Sequence, residues 1–394
     1  MKLKPLTFAL AAGGTGGHMF PADALCQELQ RRGHKVILIT DSRGQKFTNL
    51  FKGVESHLIE SGTFSRGGLV GKFKTLVALT RGFLKASWLL IKISPTGVVG
   101  FGGYPVVPTM TAARFLSIPY CLHEQNAVLG RANRAIAGAA KAIAISFEKT
   151  KKLKKRFLTK TYITGNPVRQ EIVDLGTKPY PGIGADNVIR LLVMGGSQGA
   201  TIFADVVPEA LGMLPIAVRK RLQVTQQCRQ GDLERVEAAY KSYNIASEVF
   251  SFIEDIPARL LWAHLVIGRA GATTLFELTA AGRPAILVPL PGALDDHQSV
   301  NAGILADAGA AWVIAEKEFT SPELAKLMQK LMLRQNPLKK AAEVALGLGF
   351  PEATQRLADL VEEIVFKGYA KARDKEQENK SSHTDPAELR RVAA

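Results

Sequence analysis

The most constraining feature of this chain is a pattern used three times: a short apolar run that stops on a cluster of glycines. Phe8-Ala9-Leu10-Ala11-Ala12 runs into Gly13-Gly14-Thr15-Gly16-Gly17-His18, Val98-Val99-Gly100-Phe101 into Gly102-Gly103-Tyr104, and the run from Val188 to Met194 into Gly195-Gly196-Ser197-Gln198-Gly199. Such runs are buried strands, and glycines at their ends let the backbone approach a ligand closely. A helix that follows adds free N–H groups and about half a positive charge, which suits a phosphate.

The first run predicts a helix from about Pro21 to Arg32, ended at Gly33-His34, and then the strand Lys35–Thr40, a βαβ unit. The same plan restarts after a Pro- and Gly-containing stretch from Thr177 to Asn187 that reads as a linker. The fold class is therefore α/β, two Rossmann-like domains facing across a cleft. The dinucleotide fingerprint is incomplete, because Met19 stands at its third glycine, although Asp41 ends the second strand where such enzymes place a ribose-binding acid.

A chain of 394 residues is long enough for two such domains, and 46% apolar with 22% charged residues is a globular composition. Cys26, Cys121 and Cys228 lie far apart, with no metal or redox spacing. Met1 to Thr7 lacks a signal-peptide cleavage site, and no uncharged apolar run approaches the ~20 residues needed to span a bilayer. A formal net charge of +16 favours an anionic partner: nucleic acid, acidic lipid or phosphorylated substrate. No nucleic-acid motif accompanies it.

The stretch from Gly268 to Asn301 carries the densest chemistry. After the apolar run Leu265-Val266-Ile267, Gly268 and Gly271 bracket a turn, Thr273 or Thr274 can cap the next helix, and Glu277 falls in its first turn. A carboxylate there can accept both hydroxyls of a ribose, or it can simply pair with Arg269. A second run, Ala285 to Pro289, ends in a loop holding Asp295, Asp296, His297, Gln298 and Asn301. Pro119 to Asn126 is another polar strand end, with His123, Glu124 and Asn126. His123 taken alone reads as a satisfied buried histidine. His18 reads either as a general base or as a capping or packing residue. The basic run Lys149–Arg156 reads as a solvated helix face.

Between Lys72 and Lys92 two apolar stripes share one helix. Phe73, Leu76, Val77, Leu84, Trp88 and Ile91 suffice to dock it on a domain. Leu79, Phe83 and Leu90 form another stripe, flanked by Arg81 and Lys85, which suits an anionic membrane surface, a two-sided burial or a dimer contact.

Taken in order, Gly13–His18, His123-Glu124-Gln125-Asn126, Gly165-Asn166-Pro167-Val168-Arg169, Gly195–Gly199 and the stretch from Arg269 to Asn301 resemble the MurG family of bacterial peptidoglycan N-acetylglucosaminyltransferases, over about residues 7–366. The resemblance implies a GT-B fold and inverting transfer of GlcNAc from UDP-GlcNAc to the MurNAc 4-hydroxyl of undecaprenyl-diphospho-MurNAc-pentapeptide (lipid I), giving lipid II. It implies an N-terminal acceptor and membrane-facing domain over 1–165, completed by a helix at about 352–366, and a UDP-GlcNAc-binding domain over 166–350. The tail, 367–394, exceeds the family core and reads as disordered.

Carried over residue by residue, His18 is the implied base. Ser197, Gln198 and Arg169 face the UDP diphosphate. Glu277 takes the ribose, Ile253 the uracil through its backbone, and Gln298 the sugar hydroxyls, with Asn301 a weaker candidate. Asn126, Thr15, Gly16 and Gly17 line the sugar side. Gly13, Gly14, Gly102, Gly103 and Tyr104 face the acceptor diphosphate, and the stripe of Leu79, Phe83 and Leu90 with Arg81 and Lys85 rests on anionic inner-leaflet lipids. No metal and no cofactor are implied, and no Asp-x-Asp pair is present. The resemblance places the protein peripherally on the cytoplasmic face of the bacterial inner membrane, beside cell-wall synthesis proteins, in growth, shape and division. Ala270 stands where some members carry Ser, so one hydroxyl contact is absent. A UDP-GlcNAc 2-epimerase, a diacylglycerol galactosyltransferase, a sugar-nucleotide-binding subunit and a dehydrogenase are the alternatives.

Overall fold

The computed structural model describes residues 5–60, 69–103, 105–183, 188–196, 199–333 and 337–366. Two parallel sheets organise them. The first runs β1 (Thr7–Ala11), β2 (Lys35–Thr40), β3 (Glu55–Leu58), β4 (Gly97–Gly100), β5 (Tyr120–Glu124), β6 (Ala142–Ile145) and β7 (Thr161–Ile163), in the spatial order β3-β2-β1-β4-β5-β6-β7. The second runs β8 (Ile189–Met194), β9 (Leu222–Gln227), β10 (Ala246–Phe250), β11 (Leu265–Gly268), β12 (Ala285–Leu287) and β13 (Ala311–Val313), in the order β10-β9-β8-β11-β12-β13. The expected pair of Rossmann-like sheets is present.

Both sheets are covered on both faces, which is why their strands read as unbroken apolar runs. Phe8 and Leu10 point to one face of β1, with Leu25, Leu29 and the helix of residues 353–366. Ala9 and Ala11 point to the other, with Met110, Leu89 and Leu90. The second sheet divides likewise, with Phe203 and Tyr240 on one side and Phe276 and Leu275 on the other. Ala127 and Phe147, from the first half of the chain, pack into that last cluster, and the Phe147 and Phe276 rings meet at 4.9 Å. The strand order reverses between β1 and β4 and between β8 and β11, so crevices open at the carboxyl ends of these strands.

Three local expectations are corrected. The first helix is Gly16–Arg31, starting inside the glycine cluster and carrying Pro21 within it. Residues Lys149 to Lys154 form no helix; Lys151 bridges to Val128 and a 3-10 turn, Lys155–Lys160, follows. The helix Leu69–Ile93 docks by the opposite face from the one expected. Leu90 is buried and Phe83 packs on the core, whereas Leu84, Trp88 and Ile91 are 60%, 59% and 65% exposed, which reverses the two stripes. The reason is small residues. A Cβ on Gly82 would lie 2.2 Å from the Glu60 carbonyl oxygen, and Ala86 is fully buried, so the Gly82–Ala86 side is the one that can approach the body. Tyr104, Ser197, Gln198 and the tail after Phe366 lie outside the described residues.

Candidate active site

On the N-terminal wall of the cleft, β1 ends at Ala11 and the chain turns through Gly13 and Gly14 into the helix Gly16–Arg31. Asp41, just after β2, holds this turn: its carboxylate accepts the N–H groups of Gly14 at 3.1 Å and Gly44 at 2.9 Å and pairs with Arg43. Burial pushes the Asp41 carboxyl up, but Arg43 and those N–H groups outweigh it and leave its pKa lowered. The acid that a dinucleotide enzyme would turn toward a ribose is engaged in the loop.

The loop after β4 closes on this turn. Gly103, at φ 83°, comes so near that a Cβ there would sit 2.6 Å from the Gly13 carbonyl oxygen. Gly102, at φ 88°, leaves room for His18, whose Nδ1 lies 3.0 Å from where its Cβ would be. His18 is half-buried in the first turn of its helix, with Nδ1 shut away from solvent. Burial lowers its pKa, and His297 adds to that; the Glu124 charge, the Phe101 carbonyl and the Gln125 side chain oppose it. The imidazole is neutral at neutral pH, the state a proton acceptor needs.

Behind His18 stands the end of β5. His123 is fully buried, as expected of it alone, and its Nε2 lies 3.1 Å from the Gly165 carbonyl. Burial pushes its pKa down to about 4. Glu124 accepts four donors: Asn126 N at 3.1 Å, Asn126 Nδ2 at 3.2 Å, Gly130 N at 2.7 Å and Asn133 Nδ2 at 2.9 Å. Asn126 is thereby aimed across the cleft, where its Oδ1 accepts Asn301 Nδ2 at 3.1 Å. Asn301 is buried, and its Oδ1 takes the Ala127 N–H at 2.8 Å.

The C-terminal wall is built from charged side chains. The helix after β11 is Ala272–Ala280, capped by Gly271 with no side-chain cap, so Glu277 lies in its second turn rather than its first. Glu277 pairs at 3.0 Å with Arg169, whose guanidinium lies over the Phe20 ring, 5.2 Å from its centroid. Burial raises the Glu277 pKa, and Arg169 pulls it back. Arg269, the partner expected for Glu277, instead pairs with Glu316 and donates to the Val288 carbonyl. Gln298 bonds within its own loop, its Oε1 accepting the Leu290 N–H at 2.9 Å. Ile253 is buried beside the exposed Phe252. Asp295, in the same loop, is clamped by Arg134 at 2.7 Å and Lys152 at 2.6 Å from the other half.

Thr273 does not cap its helix. Its hydroxyl donates across the cleft to the Gly17 carbonyl at 3.1 Å. Gly17 is four residues before Pro21, which has no N–H to give, so this carbonyl lacks its helical partner and can accept one from outside. The structure thus joins His18 to Gly102, Asn126 to Asn301, Gly17 to Thr273 and Arg169 to Glu277. Phe20 and Thr273 were missed as cleft residues. The only signal for them was Pro21, one residue after Phe20.

Family comparisons agree with the two-sheet fold. The Glycosyltransferase family 28 N-terminal domain matches residues 8–145 and the family's C-terminal domain matches residues 190–364. A relative from Zymomonas mobilis subsp. mobilis, named UDP-N-acetylglucosamine–N-acetylmuramyl-(pentapeptide) pyrophosphoryl-undecaprenol N-acetylglucosamine transferase, is 50% identical over 91% of this chain and 92% of its own. A relative of the same name from Rhodospirillum rubrum is 46% identical, covering 91% and 92%. The crystal structure of Acinetobacter baumannii MurG is 32% identical with a TM-score of 0.73, over 91% of this chain and all (100%) of that one. A UDP-GlcNAc 2-epimerase from Neisseria meningitidis, 12% identical with a TM-score of 0.63 over 91% of this chain and 100% of its own, shares the fold alone. The two walls form a GT-B scaffold, and the chain belongs to glycosyltransferase family 28, within its MurG group.

Proposed function

We propose that this protein transfers GlcNAc from UDP-GlcNAc to the MurNAc 4-hydroxyl of undecaprenyl-diphospho-MurNAc-pentapeptide, giving lipid II. The observation that carries the reading is the 50% identity to a transferase of that printed name across nine-tenths of both chains. The cleft supports it: a neutral, half-buried His18 faces groups that can hold a sugar nucleotide.

In the reaction the acceptor 4-hydroxyl gives its proton to His18. Its oxygen forms the new bond to the sugar C1 on the face opposite the diphosphate. The C1–O bond to UDP breaks, and its electron pair leaves on the diphosphate. Positive and dipolar groups on that leaving group contribute most to such a step. Arg169 supplies charge once UDP draws it from Glu277, and Glu277 then accepts the ribose hydroxyls. Asn126, Asn301 and Gln298, with Thr15, Gly16 and Gly17, surround the sugar; Ile253 meets the uracil through its backbone. The Gly13 and Gly102-Gly103 turns offer backbone N–H groups to the acceptor diphosphate, with the Gly14 N–H already held by Asp41.

Among the described residues no helix is long and apolar enough to cross a membrane. The protein meets its lipid substrate instead by Leu84, Trp88, Ile91 and the neighbouring Phe115, exposed beside Arg81, Lys85 and Lys92. Anionic inner-leaflet lipids attract this face, about 1 kcal/mol per basic residue near the surface. A transfer assay with labelled UDP-GlcNAc and a lipid I analogue tests the function. Label in the lipid product is expected; free UDP with an altered soluble sugar would replace the reading with an epimerase. His18→Ala should lose most turnover, on the order of 10²–10⁴-fold, while binding UDP-GlcNAc.

A further inference from the structure

Among the described residues, six non-glycine residues have left-handed backbone, and three of them meet at one contact. Asp295 (φ 58°) and Asp296 (φ 52°) lead into the helix His297–Ala308 on the C-terminal wall, and Lys152 (φ 61°) stands on the N-terminal wall. Such backbone is disfavoured for residues with a Cβ and persists where surrounding bonds over-determine it. Here those bonds cross the cleft. One oxygen of the Asp295 carboxylate accepts from Lys152 Nζ at 2.6 Å, and the other accepts from Arg134 at 2.7 Å, with Arg131 farther off at 3.7 Å. The Asp295 side chain is 14% exposed although it lies in a loop. The two cations stand on fixed ground. Arg134 belongs to the helix Arg131–Ile136, whose Asn133 donates to Glu124, and Lys152 follows Lys151, which exchanges backbone bonds with Ala127 and Leu129. The loop on the other side, 290–298, is closed on itself. Gln298 accepts the Leu290 N–H, Asp296 donates its N–H to the Ala293 carbonyl at 2.8 Å, and His297 donates from Nδ1 to the Leu294 carbonyl at 2.8 Å. It is braced as one piece, and Asp295 ties that piece to the opposite wall.

We propose that Asp295 is a positioning residue: its clamp to Arg134 and Lys152 holds the 290–298 loop, and Gln298 within it, in register with the N-terminal wall during sugar transfer. The inference deepens the proposed function and rests on it for the identity of the donor. Half-exposed ion pairs contribute little to stability, so the clamp is not explained as a fold-stabilising contact. Its geometry suits orientation. Two charge-assisted bonds from different segments of one wall fix a single carboxylate in direction as well as distance. Misplacing reacting groups by about 1 Å can cost on the order of 10²-fold in rate, and the sugar and the acceptor hydroxyl are held by different halves of this chain. With each oxygen held by a cation, Asp295 is set to orient the loop and not to take a proton. Asn301, in the helix that follows, crosses the cleft a second time, to Asn126 and the Ala127 N–H. The start of that helix is thus tied to the N-terminal wall on either side of Gln298.

The test is a mutant cycle read in transfer with UDP-GlcNAc and a soluble lipid I analogue. Asp295→Asn should lower kcat about tenfold, the paired change Arg134→Gln with Lys152→Gln should lower it by a similar factor, and all three together should lower it no further, because one clamp is lost in each case. Binding of UDP without its sugar, measured by calorimetry, should stay within about twofold, which also shows that the variants are folded. An unchanged kcat in Asp295→Asn overturns the proposal. So do losses that multiply in the combined variant, and so does a loss of UDP binding as large as the loss of kcat, which would make Asp295 a donor contact. A second measurement does not need turnover. Spin labels at the exposed positions Thr111 and Met213, one in each half, report the distance across the cleft. The distribution should be narrow in the otherwise unaltered protein and broader in Asp295→Asn; equal widths overturn the clamp. If the unaltered protein transfers no sugar, the proposed function fails and this distance measurement alone decides whether Asp295 joins the walls.

Discussion

The two walls of the cleft hold their polar groups by opposite means. On the N-terminal wall, His123, Gln125, Glu124 and Asn133 are buried, and their bonds run mostly to backbone or to one another. On the C-terminal wall, Arg169 is 20% and Glu277 11% exposed at the side chain, and each is held chiefly by the other. A ligand can replace an ion pair at the cleft surface, because it can offer each partner a substitute charge or acceptor. It cannot replace a buried network without leaving groups unsatisfied. The N-terminal wall is thus set before substrate arrives, as the proton-accepting group requires, while the C-terminal wall can be reset by the donor.

The comparison breaks most visibly at Glu124. Glu124→Ala strands four donors in the interior, and a loss of about 3 kcal/mol or more in unfolding free energy is expected from denaturant titration. A loss below about 1 kcal/mol would mean that the N-terminal wall is as exchangeable as the other. Glu277→Ala should leave the fold in place yet weaken UDP binding, roughly 10- to 100-fold, the value of one or two good hydrogen bonds to a charged acceptor, measured by calorimetry. The same site should respond to acid. Burial raises the Glu277 pKa, so its carboxylate is neutralised at a higher pH than an ordinary one. UDP affinity should hold on the alkaline side and fall as pH drops toward that raised value, and Glu277→Gln should flatten the response.

Asp23 is the exception on the N-terminal side, a buried carboxylate whose Oδ1 no donor reaches. Burial raises its pKa from 3.8 to about 6. The fold therefore prefers it protonated: the stability from that form is complete below the unfolded value and is lost as pH rises through about 6. Asp23→Asn should be more stable at neutral pH by roughly 1–2 kcal/mol, with a flatter pH profile of unfolding. The smallest effect belongs to Thr273→Val, which deletes one hydrogen bond between the walls and should cost less than about 1 kcal/mol in thermal unfolding.

The sheets were legible because strands buried on both faces announce themselves as apolar runs, and Lys35–Thr40 was read to the residue. The docking face of the helix Leu69–Ile93 was not, because both of its stripes are apolar. Only contact with Glu60 and Pro108 selects the side bearing Gly82. The candidate residues of the cleft were legible as types at strand ends. Their partners were not: Arg169 and Glu277 are 108 positions apart, and Glu277 had a nearer cation in Arg269. Gln125 was quoted within a motif yet given no task, since its bonds to the Phe101 carbonyl beyond another strand and to the His123 ring appear only in the folded chain.

The chain passes between the two halves twice, after β7 and again before the helix of residues 353–366, and the two passages touch at Gly165. That residue adopts φ 77°, and a Cβ on it would lie 2.6 Å from Phe350 Cβ and 3.0 Å from Ala353 Cβ. One strap between two bodies behaves as a ball joint, free to swing and to twist. Two straps side by side behave as a door hinge, which bends about one line and resists torsion. Any opening of the cleft is thereby confined to bending about that line, which keeps Asn126 opposite Asn301 and Gly17 opposite Thr273.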